Sequence, residues 1–134
     1  MNDITKMFYA VGFGSVPSWL KPYSVLSNGE KMRVDLARAL LEKDFVVFDE
    51  FTSVVDRTVA KTACLAINKA VKRTDKQFVA ISCHYDILEW LCPDWVFDTN
   101  TMQSFFWIAH DLQKHFQSDV ATEASGQSLD VIII

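Results

Sequence analysis

No stretch of this 134-residue chain comes near the ~20 consecutive apolar residues that a membrane-spanning helix needs. Its first residues also lack the basic-then-apolar pattern of a secretory leader, so the chain reads as a soluble, cytoplasmic protein. Paired cysteines are missing too. Cys64, Cys83 and Cys92 form an odd set without framework spacing, which argues against a disulfide scaffold and suits reduced thiols in a cytosol. Zinc would need Cys83, His84 and Cys92 plus a fourth ligand, yet no C-x2-C or H-x3-H pair is present. His110 and His115 are spaced so that a helix would not place them on one face. Excess positive charge is absent: the formal net charge is −4, so nucleic acid binding is not indicated. Lys69, Lys72, Arg73 and Lys76 form the only basic cluster, read here as a solvated helix end that complements the helix dipole. Internal repeats and low-complexity tracts are absent as well.

What is present is apolar residues, 50% of the chain, enough for the packed core of one domain. Three regions differ in character. Residues 1–25 mix Gly12, Gly14, Pro17 and Pro22 with aromatics, as a loop or short helices would. Residues 26–108 are a patterned body. Residues 109–134 begin with a helix-like "HDLQKHF" and pass through the polar "QSDVATEASGQS", read as a loop or disorder. They finish on "VIII", which either docks as a strand or frays.

Within the body, Ser27 followed by Glu30 is a capping-box pattern ahead of Val34, Leu36, Ala37, Leu40 and Leu41, and predicts a helix over about 30–42. "FVVFD" is apolar at consecutive positions, which predicts a central strand at about 45–49, covered on both faces. Asp56 is placed to cap a second helix reaching about residue 73, with Val59, Ala63, Ile67, Ala70 and Val71 as its apolar stripe. "QFVAIS" is another strand, parallel to the first through a right-handed crossover. Asp86 and Glu89 repeat the capping-box spacing for a short helix stopped by Pro93. "DWVFDTNTMQSFFWI" reads as two strands around a polar turn at Asp98 to Thr101. The fold class is therefore α/β: a small parallel sheet, flanking helices and a C-terminal β-hairpin.

Ligands of open parallel sheets gather beyond the carboxyl ends of the strands. Asp49 and Glu50 end the first strand, and Cys83 and His84 follow the second, so the acidic pair and the histidine belong on one edge. Such a pair suits magnesium-assisted phosphoryl transfer, one carboxylate serving the metal shell and the other polarising water. Each feature alone has a plainer meaning: a helix start, a polar strand exit, a loop histidine. Their joint order is harder to dismiss.

In that order, "LSNGEKMRVDLARAL" resembles the signature motif and following helix of ABC-type ATPases. "FVVFDEFTSVVD" resembles their Walker B strand and D-loop, and "FVAISCH" the strand leading to their switch histidine. Order and approximate spacing agree over roughly residues 22–108. The flanking words "PSWLKPYSVLSNGE", "DEFTSVVDRTVAK" and "CHYDILEWLCPDWVFD" are similar to soluble ABC-like ATPases that occur with, or fused to, a GNAT acetyltransferase domain. The resemblance implies a partial P-loop NTPase core, with residues 1–25 the remnant of a helical subdomain. Residues 26–108 would be the C-terminal half of the ABC ATPase core, and 109–134 a variable, partly disordered tail. It implies ATP and magnesium as cofactors. Ser27, Asn28 and Gly29, with Glu30 at the helix start, would present hydroxyl and backbone N–H groups to the γ-phosphate of ATP held by an opposing subunit. Free amides at a helix N-terminus attract phosphate in any case. Asp49 would hold magnesium through water, Glu50 would orient the attacking water, Asp56 would bridge the dimer interface, and His84 would contact the γ-phosphate.

Three positions depart from the family pattern. Asn28 stands where glycine is more frequent, and Glu30 where transporters usually have glutamine, though soluble members commonly accept glutamate. Phe51 replaces a frequent proline, which should leave the carboxylates in place but alter the following turn. The large departure is an absence: there is no G-x-x-x-x-G-K-[ST] loop to hold phosphates, since Gly12 and Gly14 in "VGFGSVPS" have no following lysine. The Q-loop region is missing too.

The resemblance therefore implies an ABC-type ATPase fragment whose site is completed by a P-loop-containing chain, and which hydrolyses ATP only when so complemented. Its expected partner is a P-loop-containing ABC ATPase subunit or a second copy of itself. The strand at 78–82 would lie beside the P-loop strand, and losing that neighbour opens an apolar edge. A GNAT-domain protein is a further candidate partner. The alternative is a non-enzymatic interaction module that binds a full-length ABC ATPase or another protein. A chromosome-maintenance ABC ATPase would attach long coiled coils beside the signature, and no sustained heptad lies upstream of Leu26.

Overall fold

The computed structural model describes residues 2–107 and 128–133. Helix α1 (Asp3–Ala10) starts where Asn2 Oδ1 accepts the Thr5 N–H at 2.9 Å, and the chain turns out of it at Gly12, whose φ of 80° favours glycine. A short α2 (Val16–Trp19), with Pro17 in its first turn, and a 3-10 turn (Tyr23–Val25) lead into α3 (Asn28–Glu42). α3 begins two residues before Glu30 because Ser27 is its cap, and both hydrogen bonds of the capping box form. It buries Met32, Leu36, Ala37 and Leu40, one stripe at helical spacing.

Next come β1 (Phe45–Phe48), α4 (Arg57–Lys72), β2 (Gln77–Ser82), α5 (Ile87–Leu91), β3 (Trp95–Asp98), β4 (Gln103–Phe106) and β5 (Ser128–Ile133). They build a five-stranded mixed sheet in the order β1-β2-β5-β3-β4. β1, β2, β5 and β3 are parallel, and only β4 runs antiparallel, closing the hairpin with β3. The fold is thus α/β with flanking helices.

Three expectations need correction. The edge of β2 expected to stand open is paired: of the two readings of "VIII" the strand holds for Val131 to Ile133, and β5 is inserted between β2 and β3. Asp94 secures the entry of β5, its Oδ2 accepting the Leu129 N–H at 2.8 Å. Second, β1 is an edge strand rather than a central one, with Phe45 57% and Val47 51% exposed. Successive strand residues point to opposite faces, so a run apolar at every position does not require burial on both. Third, Asp86 makes no capping bond to α5, and its carboxylate accepts from Arg57 instead. The predicted helix-like stretch at His110 to Phe116 and the polar stretch after it, through Gln127, lie outside the described residues.

The register separates two faces. Phe78 aligns with Val46 and Leu129, and Ala80 with Val131, which aligns with Val96. These side chains share one core with Leu36 of α3, Ile67 of α4 and Ile87 of α5. On the opposite face Val47, Val79, Ile81, Ile132, Phe97 and Trp95 stay outside that core and are half-buried or exposed. Asp130, flanked there by Val79 and Trp95, is itself buried.

Candidate functional site

Asp49 and Glu50 leave β1 on a tight loop whose backbone is forced into the left-handed region at Glu50 (φ 50°) and Thr52 (φ 67°). Each such residue costs on the order of 1–3 kcal/mol, so something must over-determine the turn. Phe51 does. It is fully buried, its N–H donates to the Ile81 carbonyl at 2.8 Å, and its ring meets those of Phe48 and Phe78 edge-on, each at 5.9 Å between centroids. A proline here would have no N–H to give. Asp49 Oδ1 accepts the Glu50 N–H at 2.8 Å, and the Glu50 carbonyl accepts the Ser53 N–H at 3.0 Å. Both carboxylates are thereby presented to solvent on a pinned turn at the carboxyl end of β1.

α3 runs back along β1, which brings its N-terminus to the same end. Asn28, Lys31 and Asp35 line a cleft of ≈ 270 Å³ together with Asp49, Glu50 and Ser53. Tyr23 completes the wall: its hydroxyl donates to Asp35 Oδ2 at 2.8 Å, which pushes the phenol above its ordinary pKa, and the Lys31 ammonium lies 5.7 Å from the ring centroid.

The other signature-like residues are occupied at helix starts. Ser27 Oγ accepts the Glu30 N–H at 3.2 Å, while Glu30 accepts the Ser27 N–H at 2.9 Å and the Ser18 hydroxyl at 2.8 Å. The Ser27 amide, then the Ser18 hydroxyl, hold the Glu30 carboxyl below its usual range. Gly29 is dictated by packing, because a Cβ at this position would lie 2.9 Å from Val59 Cγ1 of α4. Asp56 caps α4, one oxygen accepting the Thr58 and Val59 N–H groups at 2.9 and 3.0 Å.

His84 follows β2, on the sheet edge that carries Asp49 and Glu50, since β1 and β2 are parallel and in register. Its N–H donates to Ser82 Oγ at 3.1 Å, and its Nδ1 is 3.6 Å from Cys83 Sγ. Of the residues singled out in the sequence, the fold brings Asn28, Asp49 and Glu50 into one cleft. His84 lies along the same edge, and Ser27, Gly29, Glu30 and Asp56 belong to the helix starts beside it.

Sequence reasoning missed Lys31 and Asp35, although positions 28, 31 and 35 share a helical face and that spacing could have found them. It also missed Arg57, whose carboxylate partner Asp86 is 29 residues away, beyond any local signal. Nor did it pair Tyr85 with Asp98, whose carboxylate accepts the Tyr85 hydroxyl at 2.8 Å and the Asn100 N–H at 2.9 Å. A larger groove of ≈ 500 Å³ between α1, α3 and α4 contains none of the candidate residues.

Among the described residues no group of three or more His, Cys, Asp or Glu side chains is arranged to hold a metal ion, and no helix is long and apolar enough to cross a membrane. Comparisons with protein families, curated proteins and solved structures give no match to this chain.

Proposed function

We propose that this chain supplies half of an ABC-type ATPase site, to be completed by a P-loop-containing chain in the cytoplasm. The observation that carries the reading is the shared cleft. An acidic pair on a pinned strand exit faces the first residue of a 15-residue helix, on the edge that also bears a histidine. A helix start offers amides and a positive dipole end to an anion, and paired carboxylates suit the metal that accompanies phosphates. The donor set fits magnesium, which takes one or two carboxylates plus water and phosphate oxygens rather than a cage of protein ligands. Asp49 would hold it there, and the ion would supply neutralisation of phosphate charge.

In this reading Glu50 orients the hydrolytic water, Asp49 serves the metal shell and His84 contacts the terminal phosphate. Asn28 and Gly29 offer their amides across the subunit boundary, and Asp56 stands at that boundary. Among the described residues one face of the sheet lies outside the core, and parallel sheets are normally covered on both faces, which is compatible with a partner there. Since β2 is paired on both sides, the partner completes the site across this edge and face, not by adding a strand beside β2.

The test is a co-expressed complex with a P-loop ABC ATPase subunit. Glu50→Gln should leave ATP binding intact and cut hydrolysis by a factor on the order of 10² to 10⁴, the range for losing a general base. Equal turnover of wild type and Glu50→Gln on the same folded complex would end the catalytic reading.

A further inference from the structure

We infer that Arg57 is a positioning residue that locks the acidic loop (49–56) to the histidine loop (83–86), setting Glu50 and His84 relative to each other through one guanidinium. The functional part of this inference rests on the ATPase reading above; the coupling of the two loops does not. Arg57 opens α4, immediately after the cap Asp56. Its Nε donates to Asp86 Oδ2 at 2.8 Å and its Nη2 to Asp86 Oδ1, a two-pronged pairing that fixes orientation as well as distance. From the same group Nη1 reaches back to the carbonyl and hydroxyl oxygens of Thr52, each at 3.4 Å, and the guanidinium carbon lies 5.5 Å from the Trp90 ring centroid.

Thr52 is one of the two residues of the acidic loop held in the left-handed region and follows Glu50 by two. Asp86 follows His84 by two. One planar fork therefore grips both loops at matching distances from the residues that matter, a geometry that a lysine's point charge does not reproduce. Stability is a poor explanation for this arrangement: the pair is 38% and 41% exposed, and ion pairs at such positions contribute little. Phe51 already anchors the base of the acidic loop to β2 through Ile81, so Arg57 adds a second point of attachment, at the far end and to the histidine side.

The coupling is measured on the isolated chain by amide NMR as a double-substitution cycle. Asp86→Asn should shift the amides of Thr52 to Val55, and in an Arg57→Ala background the same substitution should leave them as still as remote amides of β3. Arg57→Lys, which keeps the cation over Trp90, should transmit only part of the shift and serves if Arg57→Ala does not fold. Equal perturbation of Thr52 to Val55 with and without Arg57, or none in either background, overturns the inference. In a complex with a P-loop subunit, Arg57→Ala should lower kcat on the order of 10-fold to 100-fold with KM for ATP unchanged, as misplacement of catalytic groups does. An equal loss in both parameters, or none, overturns the positioning role. A wild-type complex without turnover instead sinks the ATPase reading, and the NMR cycle then decides the coupling by itself.

Discussion

On one face of the sheet Phe78, Val131 and Val96 are completely buried beneath α3, α4 and α5; on the other Val79, Ile132 and Phe97, the next residues along the same strands, remain half-buried. Composition does not separate the two sets. Winding does. The chain moves from β1 through α4 to β2, and from β2 through α5 to β3, always in the same direction across the sheet. Right-handed crossovers taken in one direction lay their helices on one side. Among the described residues the second face stays outside the core, and the proposed function sets a partner against it.

The largest effect should come from removing the strand that both faces share. A chain stopped before Ser128 loses β5, which separates β2 from β3 and carries Leu129, Val131 and Ile133 into the core. Two strand edges and the middle of the core are then exposed together. We expect no cooperative thermal transition by circular dichroism; a two-state melt like that of the full chain would show that β5 is dispensable.

The two faces are compared directly by neighbouring truncations on β2. Phe78→Ala removes a fully buried ring and should cost about 3–5 kcal/mol. Val79→Ala, one residue on, removes a half-buried side chain outside the core and should cost about 1 kcal/mol, well below the loss at Phe78. Urea unfolding of both variants checks this, and similar losses would mean that the second face is covered in solution.

The helices were legible because their signals are local. Ser27 with Glu30, and Asp56 ahead of an apolar stripe, mark helix starts within a few residues, and both caps form. The hairpin was legible for the same reason: two apolar runs flank a polar turn. The place of β1 at the edge and of β5 in the middle was not, because strand order is set by contacts between residues far apart in the chain. "FVVF" reads the same at an edge or at a centre. Of the site, the acidic pair and the histidine stood out as chemical types at strand exits, whereas the clamp of Phe51 on Ile81 and of Arg57 on Asp86 exists only once the sheet has assembled. Ser27 and Gly29 carry a double meaning that spacing alone does not resolve, since cap formation and close packing already account for them.

Adding a methyl group sharpens the contrast from the other side. Gly29→Ala places a Cβ 2.9 Å from Val59 Cγ1, a β-branched side chain with little freedom in a helix. Overpacking of about 1–3 kcal/mol is partly offset by up to about 1 kcal/mol of helix propensity, leaving a net loss near 1 kcal/mol. Val79→Ile, outside the core of the described residues, should change stability by less than about 0.5 kcal/mol. Thermal melts of the two variants measure the difference, and a neutral Gly29→Ala would release glycine from its packing role.

The smallest expected effect concerns the carboxylate at the end of the covered face. Asp98 is buried, which alone would raise its pKa, but hydrogen bonds from Tyr85, from the Asn100 amide and side chain and from the Thr101 amide outweigh burial and hold it below the ordinary 3.8. A carboxyl depressed in the folded state contributes stability that is fully present above its unfolded pKa and is lost as pH falls through the lower, folded one. Tyr85→Phe removes the leading donor and keeps the ring. With burial then less opposed, the folded pKa of Asp98 rises toward its unfolded value, so the carboxylate contributes less stability at higher pH and acid unfolding, starting from a smaller margin, moves up the pH axis. The shift should be a fraction of a pH unit, because the Asn100 and Thr101 bonds remain. Acid titration by circular dichroism, with the Asp98 carboxyl carbon followed by NMR, measures both quantities. An Asp98 that titrates identically in the two proteins would show that Tyr85 does not fasten the histidine loop to β3 in solution, leaving Arg57 as its principal side-chain tether.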